Sequence, residues 1–124
     1  MAETISSSAV KTGGNGVIEK MLADLPGGAE LDTSAVTTEY DANDGYVPEG
    51  TPIYKSGTDY LPLLAADLVA NGPAVVGFLF QEVHKDQAYA SICIRGVVNE
   101  DKLPFAVDAA LKAAVPGISF VKYT

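Results

Sequence analysis

A chain of 124 residues with sixteen Asp and Glu against eight Lys and Arg, one His, one Cys and no Trp has room for one domain around a modest core. Apolar residues make up 48% of it, which excludes wholesale disorder, yet no apolar run is long enough to cross a bilayer. A single cysteine excludes an intrachain disulfide framework, and the lack of any Lys/Arg cluster argues against nucleic acid as a partner.

The charge is uneven. Residues 1–60 hold ten acids and three bases, residues 61–124 six acids and five bases. An acidic half repels phosphate and favours solubility. The opening MAETISSSAVKTGGNG has no basic stretch leading into an apolar one, so no secretion signal is expected.

Residues 1–16 are rich in Ser, Thr and Gly, with Ile5 and Val10 as isolated large apolar residues, and predict a flexible arm ahead of a single domain over 17–124. Val17, Ile18, Met21, Leu22 and Leu25 then space as a short helical stripe, closed by Pro26-Gly27-Gly28; a tight strand and turn is the alternative. Residues 29–39 alternate loosely and are Thr-rich, and 40–45 form an Asp/Asn/Gly loop. Pro48-Glu49-Gly50 is a turn. The short strand after it, residues 51–54, contains Pro52 and so predicts an edge strand. Leu61, Leu63, Leu64, Leu68 and Val69 supply core residues before the strong stop Asn71-Gly72-Pro73.

The C-terminal half is more explicit. AVVGFLF, residues 74–80, is apolar throughout and predicts a strand buried on both faces. A polar connection containing His84 leads to an antiparallel partner, AYASICIR, in which Ala88, Ala90, Ile92 and Ile94 face one way and Tyr89, Ser91, Cys93 and Arg95 the other. Leu103, Val107, Ala110, Leu111 and Ala114 make one apolar stripe on a helix, with Asn99, Glu100 and Asp101 before it, Pro104 in its first turn and Asp108–Lys112 as an ion pair on the wet face. Pro116-Gly117 fits the centre of a type II turn, and ISFVKYT returns as a strand. Together these predict a small β-rich α+β domain of short strands, barrel- or tulip-like, with one helix in its C-terminal half.

Candidate chemistry is thin. Lys11 to Gly16 has neither a preceding strand nor the G-x-x-x-x-G-K-[ST] spacing of a phosphate loop and reads as a hinge. His84 stands alone, without H-x-x-x-H or C-x-x-C company, and reads as an exposed turn residue. Asp41, Asn43, Asp44 and Gly45 have the oxygen-rich spacing of a calcium loop, but the closing position of such a loop opened by Asp41 is Pro52. Cys93 reads as a buried reduced thiol. There is no G-x-S-x-G elbow and only one histidine to serve a triad. No catalytic, metal or cofactor residues are therefore assigned, and an enzyme is not expected.

The run Ile94-Arg95-Gly96-Val97-Val98-Asn99, then Leu103, the Ala-rich residues 109–113 and Gly117-Ile118, resembles the C-terminal half of the lambda-type head decoration (capsid cement) proteins of tailed bacteriophages. Gly50-Thr51-Pro52-Ile53 resembles an earlier strand of that family. The likeness covers about two thirds of the chain. It implies a homotrimer on the outer surface of the expanded head, at three-fold or quasi-three-fold positions, gripping the major coat protein against DNA pressure, with neither nucleic acid nor membrane as a partner. It also implies an N-terminal arm that extends a coat-protein sheet, which makes Thr4, Ile5, Val10 and Lys11 the expected capsid-binding residues. The stripe over residues 17–25 has no counterpart in that pattern. Phage head-fibre proteins share the module and supply the alternative, an adhesion module binding host surface or carbohydrate.

Overall fold

The computed structural model describes residues 17–33, 40, 44–86 and 89–123. Among them the chain forms β1 (Ile18–Asp24), β2 (Ala29–Glu30), β3 (Tyr46–Val47), β4 (Pro52–Ser56), β5 (Asp59–Pro62), α1 (Leu68–Asn71), β6 (Val75–Leu79), β7 (Val83–His84), β8 (Tyr89–Ala90), β9 (Ile92–Asn99), α2 (Ala109–Ala114) and β10 (Ile118–Val121). This is a small, β-rich α+β domain, as the sequence predicts.

Its centre is β9. The six-stranded sheet runs β1-β9-β6-β4-β5, with β10 also on β9. Cys93 pairs with both Asp24 and Phe78, and Gly96 with both Met21 and Ile118, so β1 lies along one edge of β9 while β6 and β10 share the other. The predicted antiparallel pairing of residues 74–80 with the strand after His84 is present, with Phe78 opposite Cys93 and Leu79 opposite Ile92. Strand β10 runs parallel to β9, which the intervening helix makes possible by carrying the chain back to the same end.

The sheet is covered on both faces. Successive strand residues point oppositely, and Phe78 with Cys93 falls in one apolar cluster while Leu79 with Ile92 falls in another. Helix α2 covers the first face through Leu111, and the two-stranded ribbons β2–β8 and β3–β7 contribute Ala29, Ala90 and Val47 to the second. Two-sided burial is why AVVGFLF is continuously apolar rather than alternating.

Several expectations change. Residues 18–24 are a strand and not a helix. Ile18 and Met21 are both buried in one cluster because the ladder slips between Ile18 and Lys20, an irregularity that re-phases the side chains into a three-residue, helix-like spacing. Leu22, part of the supposed stripe, is 63% exposed. Strand β4 is interior, between β5 and β6; Pro52 is tolerated because it opens the strand, where its missing N–H costs least. Of the residues expected in the core over 61–69, Leu63 is buried, Leu61, Leu64 and Leu68 are half-buried, and Val69 on α1 is 85% exposed.

The C-terminal helix is shorter than its stripe. It spans only Ala109–Ala114, because Asp108 caps it, accepting the Leu111 N–H at 2.9 Å. Leu103 and Val107 pack on the core from irregular chain, Pro104 lies in a bend, and Ala110 is exposed. With Asp108 used as a cap, Lys112 pairs instead with Glu100, 2.8 Å away. Asn99 does cap, but its Oδ1 takes the Asp101 N–H of a single 3₁₀ turn. Residues 115–118 form the expected turn, closed by Ile118 N–H to Val115 O at 3.0 Å. It is not type II, since Gly117 is not among the glycines with positive φ. Glycine is needed there for room: a Cβ would stand 2.7 Å from Arg95 Cγ and 2.9 Å from Ile94 O.

Candidate functional site

The fold places the two lone candidates on different strands, Cys93 in the core on β9 and His84 half-buried on β7. Cys93 lies wholly inside the first cluster, and burial pushes its thiol up to about 11, so almost no thiolate forms near neutrality. His84 sits on β7 opposite Tyr46, not in a free turn. Their rings meet edge to face at 5.2 Å, and His84 Nδ1 accepts the Asp86 N–H at 3.1 Å. Among the described residues no group of three or more His, Cys, Asp or Glu is arranged to hold a metal ion. Of the calcium-like loop, Asp44 and Gly45 form a turn with left-handed backbone, while Asp41 and Asn43 lie outside the described residues. No helix among the described residues is long and apolar enough to cross a membrane.

The expected capsid-binding residues Thr4, Ile5, Val10 and Lys11 also lie outside the described residues. What the fold does define is how the described chain begins at Val17. Glu49, in the turn before β4, is only 4% exposed, and its Oε2 accepts the Val17 N–H at 3.2 Å and the Ile18 N–H at 3.4 Å. The Val17 carbonyl accepts the Asn99 N–H at 2.7 Å, at the far end of β9. Gly50, at φ +85°, brings its backbone against the Val17 side chain, with Leu103 behind. Thr51 closes the turn, its N–H and hydroxyl both donating to Pro48 O. A buried carboxylate that accepts two backbone amides satisfies donors that would otherwise lose water without replacement.

This junction lacks a local signature. Pro-Glu-Gly reads as a solvated turn, and only pairing over about thirty residues buries the Glu. The outer end of β10 is tied to the same neighbourhood: the Tyr123 hydroxyl donates to Glu19 Oε1 at 2.9 Å and the Tyr123 N–H to Asp101 Oδ2 at 2.7 Å.

The run 94–99 and residues 117–118 are brought together. Gly96, from the run 94–99, pairs with Ile118, and its N–H donates to Gly117 O at 3.2 Å. Comparison of the chain with protein-family models, with curated proteins and with solved structures finds no match.

Proposed function

We propose that this chain is a capsid decoration protein of a tailed bacteriophage, bound as a homotrimer to the outer surface of the expanded head at three-fold or quasi-three-fold positions. Its role there is structural. It bridges neighbouring coat subunits and so resists the outward pressure of packed DNA. The observation that carries the reading is that Gly96-Val97-Val98-Asn99 and the strand opened by Ile118 adjoin in parallel, with Gly96 opposite Ile118. The letters that resemble the decoration family thus lie in one β–α–β unit built on the central strand β9, which supports the reading.

The N-terminal segment supplies the grip by adding a strand to a coat-protein sheet, through main-chain hydrogen bonds with Ile5 and Val10 as side-chain anchors. Three such segments on one trimer raise each other's effective concentration, so weak single contacts hold firmly together.

The test is to add purified protein to expanded shells that lack it, count bound copies by gel and image the particles by cryo-electron microscopy. Saturable binding in threes around three-fold positions is expected. Absence of binding, or isolated single copies away from any three-fold, overturns the proposal.

A further inference from the structure

Every exposed residue between 63 and 76 is Ala, Val or Pro, and so is every exposed residue between 103 and 116. Other parts of the surface differ: the β4–β5 hairpin exposes Lys55, Ser56, Thr58 and Asp59, and β1 exposes Lys20 and Asp24. Asp67, Asp108 and Lys112 do lie in the two stretches, but all three are half-buried. Asp108 caps α2, Lys112 pairs with Glu100, and Asp67 stands near Tyr54.

The two stretches form one surface. Leu68 of α1 and Leu111 of α2 both pack into the first apolar cluster, so both helices cover the same face of the sheet. They meet at Gly72, where an added Cβ would stand 3.5 Å from Leu68 Cδ1 and 3.6 Å from Leu111 Cβ. Val69, Ala70, Pro73, Ala110 and Ala113 are left on the outward side. A helix that faces water ordinarily carries its charges there. Helix propensity would explain the alanines of α2. It does not explain Val69, a poorer helix former than Lys or Glu, which at 85% is the most exposed large apolar residue among those described.

Charge selects what covers this face. The chain carries a net charge of −8, so a basic partner is drawn to its acidic surfaces rather than to an uncharged one. A second copy is repelled by those same surfaces. At an ionic strength of about 0.15 M, charges farther apart than ~8 Å are largely screened, so the groups in and beside the contact decide the repulsion. Two copies therefore approach at least cost through a face whose exposed residues are all uncharged, the composition expected at the core of an interface.

We propose that the outward face of α1 and α2 is the surface through which copies of this chain associate. Copies arranged around one axis hide it alike on every copy. Their number, three, rests on the decoration reading, whereas the face does not.

Sedimentation equilibrium of the full chain, from micromolar to near-millimolar concentration, tests this. The parent associates as its concentration rises. Val69→Glu and Ala110→Glu each place a carboxylate in the contact and weaken association at least about tenfold, because an unpaired charge loses its water there. Leu22→Glu, at an exposed residue of β1, leaves association unchanged. A parent that stays monomeric at every concentration overturns the proposal. So does parent-like association of Val69→Glu or Ala110→Glu, or equal weakening by Leu22→Glu. Both sites are exposed and circular dichroism checks the fold; if one variant does not fold, the other decides. Binding to undecorated shells is scored separately. A parent that associates through this face yet leaves the shells bare defeats the decoration reading alone. Face variants that associate like the parent but no longer bind shells assign the face to the coat protein and overturn the proposal.

Discussion

Gly50 and Val17 pack so closely that a single Cβ on the glycine would collide with the valine side chain. The contact locks the turn before β4 onto the start of β1, beside the Glu49 carboxylate that holds the Val17 and Ile18 amides. Two segments more than thirty residues apart are thereby fixed as one rigid corner, on which the first strand depends for its alignment with β9.

Gly50→Ala should therefore destabilise the domain. The left-handed backbone at φ +85° alone costs a non-glycine residue about 1–2 kcal/mol, and the collision with Val17 adds to it. Gly57→Ala is the control, since Gly57 is also left-handed, at φ +62°, but nothing lies within reach of its Cβ. Thermal unfolding followed by circular dichroism should show the larger drop for Gly50→Ala; equal drops would mean that the corner yields without cost.

Leu111 is fully buried on the face that α2 presents to the first cluster. Leu111→Asp places a carboxylate there and should abolish folding, since burying an unpaired charge costs several kcal/mol, comparable with the whole stability of a small domain. Leu111→Ala, which only opens a cavity, should fold with a loss of about 2–5 kcal/mol. Denaturant titration separates the two. A soluble Leu111→Asp with the parent midpoint would place the helix wrongly.

How much of this was legible depended on whether a residue's environment was set locally. The strand AVVGFLF and the alternation through Ile92 and Cys93 survive in the fold because a period of two follows from backbone geometry alone. Ile18 and Met21 misled for the same reason: a break in the ladder, invisible in the letters, turned a strand into a helical spacing. The helix stripe through Leu103 and Val107 marked residues that do contact the core, but Asp108 prefers to cap, and so the helix begins later than the stripe. Val69, whose apolar side chain alone suggests the core, lies exposed on a short helix. The Glu49 junction was not legible at all, because a charged residue between Pro and Gly gives no hint of burial until its distant partners are placed.

Stability should fall in alkali. Burial raises the Cys93 thiol from 9.0 to about 11, burial with nearby Asp67 and Asp32 raises Tyr54, and a hydrogen bond to Glu19 raises Tyr123. All three groups are acids whose neutral form the fold favours. Their contribution is complete below the unfolded values and is lost as pH rises through the folded ones. The melting temperature should thus decline as pH climbs from about 9 toward 11 and beyond. Native Cys93 should also resist a thiol reagent at neutral pH and react at once in denaturant. A flat profile over that range, or rapid native labelling, would contradict the burial of this thiol.

Deleting residues 1–16 should separate folding from docking. That stretch is rich in Ser, Thr and Gly and offers only Ile5 and Val10 to any core, so the shortened chain should melt close to the parent. On the proposed decoration role its binding to undecorated expanded shells should nevertheless collapse, because strand addition would supply a row of backbone hydrogen bonds that disappear together, and three tethered segments would lose their mutual reinforcement at once. Binding by the full chain should persist in moderately high salt, since a contact made by main-chain pairing and two apolar anchors is screened far less than one made by charges. The measurement counts bound copies of both chains on the same shells by gel and microscopy, at low and high salt. Equal occupancy would show that the segment is a passive tail and would move the docking surface onto the folded body.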